Sequence, residues 1–114
     1  MKVYNFFGVL TRIFYEIGMN ETIKIIKGVL EDTPAYFTFD IDGIDPTFAP
    51  GTGTPEVGGI TVREAQLIIR HLNSLNFIGA DVVEVSPPFD INNMTSLVGA
   101  TIAFEILCTM TKTN

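Results

Sequence analysis

The chain has 114 residues, of which 46% are hydrophobic, and its formal net charge is −6. This length fits one domain over residues 1–114, and the hydrophobic content argues against a disordered chain. The seven Lys and Arg residues are scattered, which argues against nucleic acid as a partner. No apolar run reaches the length of a membrane span, and a single cysteine excludes an internal disulfide, so we predict a cytoplasmic protein.

The amino-terminal part of the chain predicts one short strand and two helices. The apolar run over residues 3–9 is typical of a strand, and residues 11–18 predict a short helix that stops at Gly18. A second helix is predicted from an N-cap at Asn20 to about Glu31, because apolar side chains recur along it at helical spacing.

A buried strand and a long loop follow. Residues 35–40, AYFTFD, are rich in β-favouring side chains and carry no charge before Asp40, which predicts a parallel strand buried on both faces. Residues 41–60 are rich in Gly and Pro, and loops of this length are usually functional. Thr61 opens a capping box, Thr-Val-Arg-Glu, and the helix that it starts is predicted to run to about Ser74.

The last third of the chain predicts one more strand and one more helix. Residues 77–85, FIGADVVEV, read as a second buried strand, and a helix is predicted from about Thr95. Cys108 lies within the apolar sequence of that helix, so we expect a buried thiol. Alternation of strands and helices predicts an α/β architecture with a parallel sheet.

Three carboxylates are predicted to meet at one edge of this sheet. Asp40 and Asp42 come at the carboxyl end of the first buried strand, and Glu84 comes at the carboxyl end of the next. Ligands of open α/β sheets bind outside these strand ends, and carboxylate oxygens suit Mg²⁺, Mn²⁺ or Ca²⁺. An Asx-turn at the end of a strand is the plain structural alternative for the Asp-x-Asp pair.

Two known sequence patterns partly match the segment DIDGIDP at residues 40–46. An EF-hand loop counted from Asp40 fails, because its sixth position is Asp45 and its twelfth is Gly51. A haloacid-dehalogenase-like phosphatase would use Asp40 as the nucleophile and Asp42 as the acid/base. That alternative stays open, although the strand over 77–85 ends in Glu-Val-Ser rather than in the acidic pair that such phosphatases use.

A third pattern matches at nine positions with fixed gaps. Residues 38–59 resemble the third signature of the agmatinase/arginase (ureohydrolase) family. The segment DVVEVSPPFD at 81–90 resembles a second block of that family. The resemblance covers about residues 15–110. The signature positions are Thr38, Phe39, Asp40, Ile41, Asp42, Pro46, Pro50, Gly51 and Gly59.

The resemblance implies a fold, a reaction and a set of roles. The fold is a three-layer α/β/α sandwich of the arginase/deacetylase type, and the reaction is hydrolysis of a guanidinium group to urea and an amine at two Mn²⁺ ions. Asp40 matches the ligand that bridges both ions, and Asp42 matches a ligand of one. Glu84 matches the carboxylate that pairs with the substrate guanidinium, and Thr54 matches a residue near it. Asp45 matches no ligand, and we expect it to accept local hydrogen bonds.

Part of the family's metal site is missing from this sequence. It contains neither Gly-Gly-Asp-His nor Asp-Ala-His-x-Asp, and its one histidine, His71, lies within a predicted helix. We therefore expect the carboxyl-terminal part of a ureohydrolase, inactive alone, that forms a homo-oligomer or associates with the missing part. Agmatine is the predicted substrate, with guanidinobutyrate, proclavaminate and formiminoglutamate as alternatives. A non-catalytic remnant or an assembly subunit is the alternative from another class.

Overall fold

The computed structural model describes residues 14–111, and these form an α/β unit. The strand predicted over residues 3–9 and the start of the helix predicted over 11–18 lie outside this range. Residues 14–17 are helical, and two 3₁₀ turns follow the two strands, at Ile41–Gly43 and Pro87–Phe89. The longer elements are α1 (Met19–Leu30), β1 (Ala35–Asp40), α2 (Val62–His71), β2 (Phe77–Val83) and α3 (Met94–Met110).

Strands β1 and β2 pair in parallel, as predicted. Thr38 lies opposite Asp81 in this register, and Asp40 lies opposite Val83. The connection between the strands consists of the loop after β1 and helix α2, so both strands end at the same edge of the sheet. This arrangement brings the predicted site residues to one edge.

One face of the two strands packs on the helices. Alternate strand side chains, among them Phe37, Phe39 and Val82, contact a cluster of buried aliphatic residues. A second cluster joins α1 to α2 and also contacts Phe37. The first cluster comprises Ile41, Ile44, Ala49, Ala65, Ile69, Ile102 and Ile106. The second comprises Phe14, Ile23, Ile26, Ile68, Leu72 and Leu75.

The opposite face of the strands is exposed in the part of the chain that the structure describes. Tyr36 is 53% exposed, and both Tyr36 and Thr38 donate hydrogen bonds to the Asp81 carboxylate, at 3.2 Å and 2.5 Å. We call Tyr36, Thr38 and Asp81 the open sheet face. The prediction that β1 is buried on both faces is therefore wrong for residues 14–111, because α1, α2 and α3 cover only the other face.

Helix α2 begins with the predicted capping box. The Thr61 hydroxyl accepts from the Glu64 backbone N–H at 3.0 Å, and the Glu64 carboxylate accepts from the Thr61 N–H at 2.9 Å. The helix ends at His71 rather than at Ser74, because the chain turns through Leu72 and Leu75 before β2 begins.

Helix α1 begins earlier than predicted. Its N-cap is Gly18, not Asn20, and Gly18 has a φ of 85°, which a residue with a side chain rarely adopts. The Thr22 hydroxyl donates to the Gly18 carbonyl at 2.8 Å, so the first turn closes on the glycine. The sequence pattern favoured Asn20 because Asn is a common N-cap residue.

Helices α2 and α3 are also joined by an ion pair. Arg70 donates from Nε and Nη2 to the two carboxylate oxygens of Glu105, at 2.9 Å and 2.6 Å. Gln66 donates a further hydrogen bond to Glu105 at 3.2 Å. Arg70 holds the pKa of Glu105 below its ordinary value, so this side chain is charged where it lies between the helices.

Helix α3 is apolar around most of its circumference. Leu97, Phe104 and Leu107 are exposed on one side of it, and we call these three residues the outer face of α3. Cys108 is exposed as well, so the predicted buried thiol is wrong. The helix is apolar on both its buried and its exposed sides, so the sequence pattern could not identify the buried one. Within residues 14–111, no helix is both long and apolar enough to cross a membrane.

Candidate active site

Asp40 and Asp42 lie side by side at the carboxyl end of β1. The strand ends at Asp40, and the 3₁₀ turn that follows brings the backbone N–H of Asp42 to 2.9 Å from Oδ1 of Asp40. Their proximity therefore comes from a tight turn and not from the alternation of a regular strand. The Asx-turn expected as the structural alternative is present, and it also places two carboxylates together.

The Asp42 carboxylate is buried and held from both sides. Asp42 is only 5% exposed, and the Thr52 hydroxyl donates to Oδ1 while the Thr54 hydroxyl donates to Oδ2. Thr54 was expected beside Glu84, and its hydrogen bond in the structure is to Asp42. Since each carboxylate oxygen has its own hydroxyl partner, the orientation of Asp42 is fixed by the loop after β1.

Glu84 is the residue that follows β2, and its backbone is strained. Its φ is 70°, a left-handed conformation that costs energy in a residue with a β-carbon. The side chain is exposed at the same sheet edge as the two aspartates. Such outliers persist where the surrounding structure requires them, and they concentrate at functional sites.

The charges at this edge act on one another. Burial raises the pKa of Asp40 above its ordinary value, and the negative charges of Asp42 and Glu84 raise it further. The hydrogen bond from the Asp42 N–H acts in the opposite direction. Asp40 is therefore partly buried and lies close to two other negative charges. A bound cation would stabilise the charged form of Asp40 in this environment.

The donor set fits a divalent cation in kind but not in number. Asp40 and Asp42 offer the carboxylate oxygens that Mn²⁺ and Mg²⁺ accept. Among the side chains of residues 14–111, however, no group of three His, Cys, Asp or Glu residues could hold a metal ion. A metal ion at this edge would therefore need ligands besides these two aspartates.

His71 lies away from this edge. It is the last residue of α2, which precedes the start of β2, whereas the aspartates lie at the carboxyl end of β1. Its Nδ1 lies 2.7 Å from the Leu67 carbonyl oxygen, and the side chain is exposed. His71 is therefore a residue of the helix surface.

Asp45 closes the loop that carries the two threonines. Its carboxylate accepts from the N–H groups of Thr47 and Gly58, both at 2.9 Å, so it joins the beginning of the loop to its end. Gly59 is needed here, because a β-carbon on it would come within 2.8 Å of the backbone of Gly43 and Ile44. The prediction that Asp45 accepts local hydrogen bonds is confirmed.

Replacing Asp45 by Asn should reduce the loss of stability on acidification. Hydrogen bonds from Thr47, and then from Gly58, lower the pKa of Asp45 from its ordinary value of 3.8. A lowered native pKa adds stability above the unfolded pKa, and this stability is lost as the pH falls through the native pKa. Urea midpoints at about pH 7 and about pH 3 should therefore differ less in Asp45→Asn than in the wild type.

The control for this measurement is Asp32→Asn, which removes an exposed carboxylate from the turn after α1. It should leave the acid-induced change in midpoint as it is in the wild type. An equal change in the wild type and in Asp45→Asn would contradict the assigned role of Asp45.

An apolar groove lies on another side of the same loop. It measures about 450 Å³ and has no ionisable side chain in its lining. It therefore lacks the groups that acid-base or metal chemistry requires, and the carboxylate edge is the candidate active site. The groove is lined by Thr47, Phe48, Pro50, Val62, Ile91, Met94 and Val98.

Sequence reasoning missed Thr52 as a site residue. The segment Thr52-Gly53-Thr54 places two hydroxyls two residues apart in the loop after β1, and this spacing could have suggested a pair of donors to one carboxylate. Thr95 and Asp90 were also missed, although Thr95 was predicted as the start of the last helix. Thr95 acts on the loop through the N–H of Gly51, 44 residues earlier in the chain, and Asp90 acts through Thr95.

Comparison with known proteins supplies close relatives. The guanidinopropionase of Pseudomonas aeruginosa is 54% identical over 95 residues, which cover 83% of this chain and 30% of that protein. An agmatinase of Chromobacterium violaceum is 49% identical over 96 residues, covering 84% of this chain and 30% of the relative. The chain therefore spans about a third of the length of these curated relatives.

A solved structure shares the fold of this chain. The proclavaminate amidino hydrolase from Streptomyces clavuligerus superimposes with a TM-score of 0.84 at 39% sequence identity, covering 88% of this chain and 34% of that one. This match confirms the predicted α/β fold of the arginase type. The model of the family described as Arginase matches residues 4–109. The chain belongs to the arginase family.

Proposed function

We propose that this chain carries the carboxyl-terminal part of a ureohydrolase active site, in which a guanidinium C–N bond is hydrolysed to give urea and an amine. The observation that carries this proposal is the placement of Asp40 and Asp42 side by side at the end of β1, with Glu84 directly after the parallel strand β2. Membership of the arginase family supports it further. The chain alone is inactive in this proposal, because its described residues lack enough metal ligands.

Each candidate site residue then has a defined role. Asp40 and Asp42 would hold two Mn²⁺ ions together with ligands from further polypeptide, and such ions would lower the pKa of a water in the site. Thr52 and Thr54 keep the Asp42 carboxylate in one orientation. Glu84 binds the substrate guanidinium, for which a carboxylate is the matching partner through paired, charge-assisted hydrogen bonds.

We propose agmatine as the substrate. Agmatine carries an amine besides its guanidinium group, so it is a dication, and the net charge of −6 on the chain favours a dication over a guanidino acid. The names of the relatives include guanidinopropionase and guanidinobutyrase as well as agmatinase, which keeps guanidino acids as the alternative substrates. The relative rates on these compounds decide between them.

The partner in this proposal is further polypeptide with the His-containing metal segments. The open sheet face and the outer face of α3 are both exposed in residues 14–111, and the outer face presents Leu97, Phe104 and Leu107 to solvent. Exposed apolar surface of this kind is typical of an interface. A homo-oligomer is the alternative occupant. We also propose a cytoplasmic location, because a reducing compartment suits the exposed free thiol of Cys108.

The test is reconstitution of the activity. The chain is mixed with a polypeptide that covers the other two-thirds of the guanidinopropionase relative, and urea release is measured with Mn²⁺ and either agmatine or 3-guanidinopropionate. We expect no urea from the chain alone and agmatine hydrolysis by the mixture. Asp40→Ala should lower that activity more than about 100-fold, because first-sphere ligands matter more than the residues that orient them.

The matched control is Asp32→Asn, which removes an exposed carboxylate from the turn after α1 and should leave the rate nearly unchanged. Urea release by the chain alone would contradict the claim that it is incomplete. A mixture that binds no Mn²⁺ and releases no urea would favour the non-catalytic remnant. Phosphate release from p-nitrophenyl phosphate with Mg²⁺ would favour the phosphatase.

A further inference from the structure

One glycine joins the two segments that carry the candidate site residues to helix α3. Gly51 is buried, its N–H donates to the Thr95 hydroxyl at 2.8 Å, and its carbonyl accepts from the Ser86 N–H at 2.8 Å. The loop after β1, the segment after β2 and helix α3 therefore meet at one backbone position. We call Gly51, Ser86, Asp90 and Thr95 the Gly51 junction.

The junction has no space for a side chain at position 51. A β-carbon there would lie 2.8 Å from the Thr95 hydroxyl oxygen and 2.8 Å from the Cα of Asp90. Real β-carbons do not make such short contacts with backbone atoms, so any other residue would push the loop away from α3. The glycine is thus required by close approach, and its two backbone hydrogen bonds require the same proximity.

The amino-terminal end of α3 is built to hold Thr95 in place. The Asp90 carboxylate accepts from the Thr95 N–H at 2.8 Å, and its other oxygen accepts from Ser96 through the N–H at 2.9 Å and through the hydroxyl at 2.6 Å. Thr95 itself is completely buried. Its hydroxyl oxygen is therefore a fixed acceptor for the Gly51 N–H.

Two segments of the candidate site are connected to this junction, one through Thr52 and the other through Ser86. Thr52 is the residue after Gly51, and its hydroxyl binds the Asp42 carboxylate. Ser86 is two residues after Glu84, and it donates to the Gly51 carbonyl. We infer that Thr95 and Gly51 are positioning residues. They set the distance between Asp42, the proposed metal ligand, and Glu84, the proposed guanidinium-binding residue.

This inference rests on the proposed function for its catalytic consequence, and on the structure of the chain alone for its geometry. In the proposed function, Asp42 would help to hold the metal ions and Glu84 would bind the guanidinium, so hydrolysis would depend on the spacing of these two carboxylates, and a small displacement would be costly. Neither Thr95 nor Gly51 touches the reacting groups in this proposal. Their effect is expected through Thr52 and through the segment that contains Glu84.

The experiment compares three variants of α3. Thr95→Val keeps the shape of the side chain and removes the hydroxyl acceptor, whereas Thr95→Ser keeps the hydroxyl. Thr109→Val is the matched control, because Thr109 is a buried threonine of the same helix whose hydroxyl donates to the Ile69 carbonyl in the core, at 3.3 Å. Both Val variants lose one buried hydrogen bond, but only Thr95→Val changes the junction.

The first measurement uses the chain alone. In methyl and amide NMR spectra, Thr95→Val should shift the Thr52 and Glu84 signals, Thr109→Val should leave them in place, and Thr95→Ser should restore them. Unchanged Thr52 and Glu84 signals in Thr95→Val would overturn the inference, whether or not the chain takes part in hydrolysis. Equal shifts in both Val variants would overturn it too, because they would indicate a general loss of stability.

The second measurement uses the reconstituted enzyme. Urea release should fall about 10-fold to 100-fold in Thr95→Val, mainly in kcat, while Thr95→Ser and Thr109→Val stay within about threefold of the wild type. A wild-type mixture without activity would remove the proposed function and leave the NMR result to decide the junction. Full activity of Thr95→Val beside an active wild type would overturn the positioning role.

Discussion

Glu84→Gln should reduce urea release by the reconstituted enzyme about 100-fold or more. The substitution keeps the size of the side chain and the left-handed backbone, but it removes the negative charge that pairs with the guanidinium in the proposed site. Leaving one partner of a desolvated charge pair without the other costs about 2–5 kcal/mol. Steady-state rates at saturating and limiting agmatine measure this effect.

Glu84→Gly separates the chemical role of this residue from its backbone strain. Activity should be lost as in Glu84→Gln, while the free energy of unfolding should rise by up to about 1 kcal/mol, since glycine adopts a φ of 70° without strain. Glu31→Gly is the control, because Glu31 also has a positive φ, of 47°, and it lies at the end of α1. Glu31→Gly should raise the free energy of unfolding and leave the rate of urea release unchanged. Full activity of Glu84→Gln would contradict the substrate-binding role.

Ile102→Ala should destabilise the chain by about 2–5 kcal/mol. Ile102 is completely buried in the cluster between α2, α3 and the strands, and truncation of such a side chain removes apolar burial and leaves a cavity. Small domains have a total stability of about 5–15 kcal/mol, so this loss is a large part of it. Urea denaturation followed by circular dichroism measures the change in midpoint.

Leu107→Ala is the matched control for Ile102→Ala. Leu107 lies on the same helix and is 60% exposed on the outer face of α3, so its truncation should change the free energy of unfolding by less than about 0.5 kcal/mol. Equal midpoints for the two variants would contradict the orientation of α3. A clear loss in Leu107→Ala alone would indicate that the outer face is covered in solution.

The elements with strong local signals were predictable. The capping box at Thr61 and Glu64 fixed the start of α2 to the residue, because both hydrogen bonds lie within four residues of chain. The segment 35–40, which carries no charge before Asp40, predicted both ends of β1 correctly. The first residue of α1 was wrong, because Gly18 at a positive φ replaced the Asn20 cap that the local pattern favoured.

Burial was less predictable than secondary structure. Helix α3 has apolar residues on both its buried and its exposed sides, so its residue pattern could not indicate that Cys108 lies outside and Ile102 inside. The same holds for β1, whose aromatic sequence predicted burial on both faces although Tyr36 is exposed in residues 14–111. Burial depends on which other elements cover a surface, and composition does not contain that information.

The sequence by itself determined the candidate carboxylates and the family. The spacing of Asp40 and Asp42 and the match to the signature are properties of the linear chain, because a turn and a motif are local. Only the tertiary structure decided how these residues are held. Thr52 and Thr54 bind Asp42 across 10 and 12 positions, and Gly51 binds Thr95 across 44 positions, so these hydrogen bonds exist only after the loop has folded and packed on α3.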